Sequence, residues 1–276
     1  MQKVIRRSEI EQYTEEMHEP IVSYIEEGQI ETFEGFDEFS LIAFDWYDIR
    51  NIDQDPSQIL IYIDEDDIFV ICEDDISYQT ATKCFTEANA NERVLYLFFK
   101  NLFKGDSKYL EELEDKISEL DDNVIHGDEE DIREHIVDMR YELLRLKKYY
   151  EQFDEIFEEL CDNDNEVISN DFLIYFEILG NRCGKLTSHV MNLREFIVQV
   201  RESYQAQIDI EQNRLMKVFT LMTSIFLPLT LIAGWYGMNL KMPEFGWEYG
   251  YPVVIAVCVL VCVIWFIVFR KKGWFK

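Results

Sequence analysis

Residues 218–236 and 251–269 are two runs of 19 residues each without a single Asp, Glu, Lys, Arg or His. Wound as helices at about 1.5 Å per residue, each reaches roughly 28 Å, close to the hydrocarbon thickness of a bilayer. Fourteen residues separate them, so the second run must turn back beside the first. The end of this chain is therefore expected to be two membrane-crossing helices joined by a tight turn, with function concentrated at that turn.

Flanking charges set the orientation. Arg214 and Lys217 precede the first run, and Arg270, Lys271, Lys272 and Lys276 follow the second. Positive residues stay on the cytoplasmic side, so both termini are expected inside and the loop outside. Trp235, Tyr236, Trp247, Tyr249, Tyr251 and Trp274 fall at the expected interfaces, where amphipathic rings collect. Residues 1–16 are polar and charged, so the spans themselves are expected to act as the insertion signal.

The 276 residues carry a formal charge of −29. Residues 218–276 hold five basic and two acidic residues, a net of +3, which leaves −32 on the preceding 217. That balance argues against nucleic acid and against lying flat on anionic lipid, and it favours a cationic partner. Cys72, Cys84, Cys161, Cys183, Cys258 and Cys262 show no CxxC spacing, and reduced thiols are expected.

No proline lies between Pro56 and Pro228, so long helices are permitted there. Residues 1–105 read as a mixed α/β domain. The β-branched runs 59–63 and 68–72 flank Asp64-Glu65-Asp66-Asp67 as a hairpin would, and 94–103 fits a strand or a buried helix. From 106 to 168 the period is helical. Leu110, Leu113, Ile117 and Leu120 share one face, with a stop expected near Asp121-Asp122-Asn123. A second helix is expected from about Glu129 to Leu160. Residues 169–217 continue as a stalk helix with Leu186, Val190, Leu193, Ile197, Val200 and Tyr204 at heptad spacing, running unbroken into the first span. Its internal glycines, Gly180 and Gly184, each cost about 1 kcal/mol relative to Ala.

Within the first span Asn213, Met216, Thr220, Thr223, Leu227, Thr230 and Gly234 recur at intervals of three and four. A polar or small stripe on a membrane helix must face protein or water, so it is a candidate pore lining or, equally, a helix-packing face.

Asn213, Met216-Lys217, Thr220 and Gly234, with Pro228-Leu229-Thr230, the loop Tyr236-Gly237-Met238-Asn239, Met242-Pro243-Glu244, Gly250-Tyr251-Pro252 and the tail Arg270-Lys271-Lys272-Gly273-Trp274, resemble the CorA family of divalent-cation channels, from whose usual leucine and methionine Phe219 and Leu227 depart. The resemblance is close over residues 213–275 and looser before them. It implies a funnel-shaped homopentamer in a prokaryotic inner or plasma membrane, with both termini cytoplasmic. Each subunit would contribute an α/β domain, an acidic helical hairpin, a stalk helix and two transmembrane helices. Span 218–236 would line the pore, 237–250 would form the external loop, 251–269 the second span and 270–276 the basic tail. The hairpin tip, Asp121, Asp122, Asp128, Glu129, Glu130 and Asp131, would face a ring of Arg270, Lys271 and Lys272.

The resemblance further implies Mg²⁺ as the transported and regulatory ion, with no organic cofactor and no catalysis. Gly237, Met238 and Asn239 would form the selectivity filter. The Asn239 amide oxygens would accept hydrogen bonds from the water of a hydrated Mg²⁺, an ion that dehydrates reluctantly. Glu244 and Glu248 would concentrate cations outside. Met216, Phe219 and Leu227 would close the pore by dewetting. For the regulatory site, Asp171 and Glu177 are the candidates. Cobalt, nickel or zinc transport by the same family is the nearer alternative, and a non-conducting oligomeric sensor the more distant one.

Two other patterns are weak. Asp162-Asn163-Asp164-Asn165-Glu166 begins like a calcium loop but lacks its later Gly and Glu, and Gly180-Asn181-Arg182-Cys183-Gly184-Lys185 falls short of a phosphate loop. His18, His126, His135 and His189 are expected at the solvated surface.

Overall fold

The computed structural model describes residues 1–14, 17, 21, 32–51, 53–126, 131–238, 246–272 and 274. The chain forms two units, Met1–Glu202 and Ser203–Lys276.

The first unit opens with β1 (Gln2–Arg6), a 3₁₀ turn (Arg7–Tyr13), β2 (Phe33–Gly35), β3 (Phe39–Trp46), β4 (Ser57–Asp64) and β5 (Ile68–Cys72). The five strands form one sheet in the order β1-β5-β4-β3-β2. All neighbours are antiparallel except β1, which runs parallel to β5. The expected hairpin is β4–β5, with Ile63 opposite Ile68. Asp64 builds its turn by accepting the backbone N–H groups of Asp66 and Asp67.

Both faces of the central strands are covered, which is why they read as continuous apolar runs rather than as alternation. Ile5, Leu41, Leu60, Tyr62, Phe69 and Ile71 pack with Ile10, Met17 and Ile21 on one side. On the other, the Phe44 ring lies 5.9 Å from Phe99 and 5.0 Å from Phe153.

Helices α1 (Asp75–Cys84) and α2 (Asn91–Leu102) follow. Asp74 caps α1, accepting the Ser77 N–H at 2.7 Å. Segment 94–103 proves to be helix: Val94, Leu95, Phe98 and Phe99 are buried on one side of α2. Then come α3 (Asp106–His126) and α4 (Ile132–Asp162). The stop expected near Asp121-Asp122-Asn123 does not occur, because Val124 extends the stripe one turn beyond Leu120 and is buried. The expected start at Glu129 lies outside the described residues, as do Gly127, Asp128 and Glu130.

Asn163, at φ 48°, closes α4 in the left-handed conformation. Its side chain donates to the Ile168 carbonyl at 2.7 Å and accepts the Ile168 N–H at 3.1 Å. The Asn165 amide donates to the Phe36 and Phe39 carbonyls and to Ser40 Oγ. The calcium-like segment is thus a clamp that fastens the helical hairpin to the sheet.

Helix α5 (Asn170–Tyr236) runs 67 residues without interruption. In the first unit Phe176, Leu179, Cys183, Leu186, Val190, Leu193, Ile197 and Val200 are its buried residues, spaced three and four apart throughout. Tyr204, expected to continue that stripe, is half-buried. The phosphate-loop-like segment is helical, part of α5. At Gly180 an added Cβ would lie 3.2 Å from Phe157 Cβ, so the glycine permits close approach to α4. All six cysteines are free. Burial pushes the thiols of Cys72 and Cys84 up to about 12 and about 11. His189, expected in solvent, instead lies 3.1 Å from Glu114 and joins α5 to α3.

The second unit comprises the remainder of α5 and helix α6 (Gly250–Lys271). Both helices are long and apolar enough to cross a membrane. Along α5, Leu221, Ser224, Ile225, Pro228, Leu229, Ile232 and Tyr236 are half-buried and share a seam. On α6 the matching seam is Val254, Cys258, Val261, Cys262, Trp265, Val268 and Phe269. A shared groove of about 440 Å³, lined by Ile232, Trp235 and Tyr236 of α5 and Val253, Val254 and Val257 of α6, sets the two side by side.

Candidate functional site

At about 100° per residue, two positions along a helix differ by about 200°. Thr223, Leu227, Thr230 and Gly234 each precede a seam residue (Ile225, Leu229, Ile232, Tyr236) by two, so the stripe lies nearly opposite the α6 seam. All seven stripe residues, Asn213, Met216, Thr220, Thr223, Leu227, Thr230 and Gly234, are exposed, as is Phe219. A groove of about 660 Å³ follows this face past Thr223, Leu227, Thr230 and Gly234 to Trp235 and Met238.

The threonines are prepared in a particular way. Thr220 Oγ1 donates to the Met216 carbonyl at 2.7 Å, and Thr223 Oγ1 donates to the Phe219 carbonyl at 2.8 Å. With the hydroxyl hydrogen engaged by the helix, each oxygen has only acceptor lone pairs left for solvent. The Thr220 and Thr223 hydroxyls on this face thus present acceptors, which suit a cation carrying its own water.

Helix α5 ends where the motif begins. Gly237 N–H donates to the Ala233 carbonyl at 2.8 Å, and a Cβ on Gly237 would stand 2.9 Å from that same oxygen. Among the described residues the positive-φ glycine is Gly105, so Gly237 is not required by a left-handed backbone. Crowding against the helix terminus is the operative constraint. Met238 is exposed, and Asn239 and Glu244 lie outside the described residues. Exposed Glu248 borders a groove with Tyr236, Gly237, Trp247 and Tyr251.

Residues 7–271 match the family of CorA-like Mg²⁺ transporter proteins. The chain belongs to that family. It is 30% identical over 166 residues to the cobalt/magnesium transport protein CorA of Thermotoga maritima, covering 60% of this chain and 47% of the relative. Over 70 residues it is 49% identical to the magnesium transport protein CorA of Campylobacter jejuni, covering 25% of this chain and 21% of the relative. The chain thus spans about half the length of the first relative and about a fifth of the second. The solved CorA magnesium transporter of Methanocaldococcus jannaschii has the same fold, with a TM-score of 0.76 at 22% identity over 97% of this chain and 88% of that one. An N-terminal α/β domain, a long helix and a C-terminal apolar helix are thus the CorA architecture.

The remaining CorA expectations fall unevenly on the structure. Arg270 and Lys271 are exposed in the last turn of α6, and Lys272 caps it. In the same turns the Trp265 and Phe269 rings stack, and the Trp274 ring is tilted against Phe269. Asp121, Asp122 and Asp131 are described, whereas Asp128, Glu129 and Glu130 are not. Asp171 and Glu177 are both exposed on α5. Six positions apart, they leave the helix roughly 120° from one another and are not brought together. Among the described residues no three His, Cys, Asp or Glu side chains form a metal-holding group.

Sequence reasoning missed a buried polar network in the first unit. Tyr109 donates to Glu142, Tyr150 donates to Asp106 at 3.0 Å, and the Arg145 guanidinium lies 4.2 Å from the centre of the Tyr47 ring. The signal was present in the form of acids and tyrosines at apolar heptad positions, but their partners come from distant helices.

Proposed function

We propose that this chain is the subunit of a homopentameric, CorA-type channel that carries Mg²⁺ across a prokaryotic inner or plasma membrane, with both termini in the cytoplasm. The α5 stripe faces the symmetry axis, and α6 lies outside it. Five Asn239 amides ring the outer mouth and accept hydrogen bonds from the water around the ion, with Gly237 and Met238 shaping the filter. Binding the hydrated ion avoids the slow step of stripping it. Glu244 and Glu248 raise the local cation concentration. Thr220, Thr223 and Thr230 offer acceptors further along, and Asn213 does so at the inner end. Met216, Phe219 and Leu227 close the passage when it dewets. Cytoplasmic Mg²⁺ held between subunits, with Asp171 or Glu177 among its ligands, favours the closed state.

One observation carries this reading: an exposed polar and small-residue stripe on an apolar span, turned away from the seam with its hairpin partner. Such a face needs company inside a membrane. The test is divalent-cation flux into proteoliposomes holding the purified protein or its Asn239→Ala variant. Flux from the parent and its loss by at least about tenfold in the variant, some 1.4 kcal/mol, is expected. A non-conducting sensor would give no flux from either. Cobalt is the second ion to try, because the Thermotoga relative is described as a cobalt/magnesium transport protein.

A further inference from the structure

Where α5 stops and α6 starts, the hairpin holds a groove separate from the one along the threonine stripe. Its volume is about 480 Å³, and its walls include Ala233, Tyr236 and Gly237 of α5, Trp247 and Glu248, and Tyr251 of α6. Trp247 to Gly250 form a turn in which the Gly250 N–H donates to the Trp247 carbonyl at 3.0 Å. The Val253 N–H then donates to the Tyr249 carbonyl at 3.1 Å as α6 begins. The turn thereby presents Trp247 and Glu248 to the groove. The lining is graded along the spans. Ala233 and the valines 253 and 254 lie within the two apolar runs, Tyr236 ends the first run, Tyr251 opens the second, and Glu248 lies beyond both. That order follows the passage from hydrocarbon to headgroup. Glu248 is exposed and, among the described residues, forms no ion pair.

An interfacial belt accounts for rings at this depth, and a helix N-terminus accounts for a nearby acid. Neither accounts for three rings and a carboxylate lining one groove. A single carboxylate is too few for a divalent cation, which takes roughly six oxygen ligands. Ring faces beside one negative charge suit an organic ammonium instead. We propose that this groove binds the ammonium headgroup of a zwitterionic phospholipid. The ammonium lies against Glu248 and the rings of Tyr236, Trp247 and Tyr251, and the apolar part of the lipid lies along Ala233 and the two valines. The N–H groups at the start of α6 favour the lipid phosphate on the same side. Gly237 forms part of the wall, so occupancy also bears on the filter motif, a step that rests on the transport reading above.

The experiment titrates purified full-length protein in detergent with short-chain phosphatidylethanolamine or with phosphatidylglycerol of the same chain length, and counts bound lipid by native mass spectrometry. The ethanolamine lipid is expected to bind at least about tenfold more tightly. Glu248→Gln is expected to remove most of that preference. Equal affinity for the two lipids, or a preference that survives Glu248→Gln, overturns the proposal. Trp247→Leu reads the ring contribution independently, and unchanged ethanolamine-lipid binding in it overturns the proposal as well. Soluble phosphoethanolamine binding as tightly as the lipid overturns the assignment to a lipid. In proteoliposomes the parent's Mg²⁺ flux is expected to differ between the two lipids, and Trp247→Leu to lose that difference. Equal parental flux in both lipids overturns the link to the filter. Absence of flux from the parent in either lipid defeats the transport reading, while the lipid preference in detergent still decides the site.

Discussion

Gly180 and Gly184 lie one turn apart on α5 and meet opposite surroundings. A methyl at Gly180 would press on Phe157 Cβ at 3.2 Å, whereas one at Gly184 would find nothing within 4 Å. Gly184→Ala is therefore expected to stabilise the protein by about 1 kcal/mol through helix propensity alone. Gly180→Ala gains the same propensity but overpacks a close helix crossing, at a cost of about 1–3 kcal/mol, so its net effect is neutral to destabilising. Melting temperatures of the two variants should move apart, and equal upward shifts would show that the crossing is slack. In sequence the two glycines look alike, because the discriminating atom belongs to a residue more than twenty positions away. The same holds for α1, where Ile76 is exposed at 57% while Ser77 is fully buried, its hydroxyl 3.1 Å from that of Ser57. Polarity there points the wrong way, and the helix was invisible to a search for apolar periodicity.

Helix α5 was legible for the opposite reason. Its residues at three- and four-residue spacing from Phe176 to Val200 are all buried, so period and burial coincide. The stripe from Asn213 to Gly234 was legible as a pattern, but its role was not. The sequence left it between pore lining and packing, and the half-buried α6 seam on the opposite side removes packing against α6 from that choice. Leu227 is the bulkiest aliphatic member between the threonines and is 69% exposed. If it acts as a dewetting constriction, Leu227→Ser should raise basal conductance in high Mg²⁺, because a hydroxyl keeps the passage wet. Single-channel or flux recordings of this variant showing unchanged closure would move the gate to Met216 or Phe219. The proposed filter was legible only as the tetrapeptide at residues 236–239, and the crowding at Ala233 that accounts for its glycine was not.

For the whole molecule, charge is the dominant quantity. Five copies would assemble five chains of −29 each, and such self-repulsion favours bound cations between them. Removal of divalent ions is accordingly expected to loosen the assembly and raise conductance, measured as flux at millimolar chelator against millimolar Mg²⁺ on the cytoplasmic side. Conductance indifferent to that change would count against regulation by the transported ion. Acids that would hold such an ion were not legible in the sequence, since ligands drawn from two subunits would share no spacing within one chain.

Residues 203–217 of α5 are helical, yet Tyr204 and Ile208 alone among them are even half-covered. Local support comes from pairs such as Gln205–Asp209 at 3.1 Å and Glu211–Arg214 at 3.7 Å. A polar rod of this kind is marginal by itself in water. In the single chain this segment is therefore open to trypsin at Arg214 and Lys217, and in the proposed oligomer neighbours would sheathe it. Survival of residues 203–217 under brief digestion would report whether the proposed ring forms.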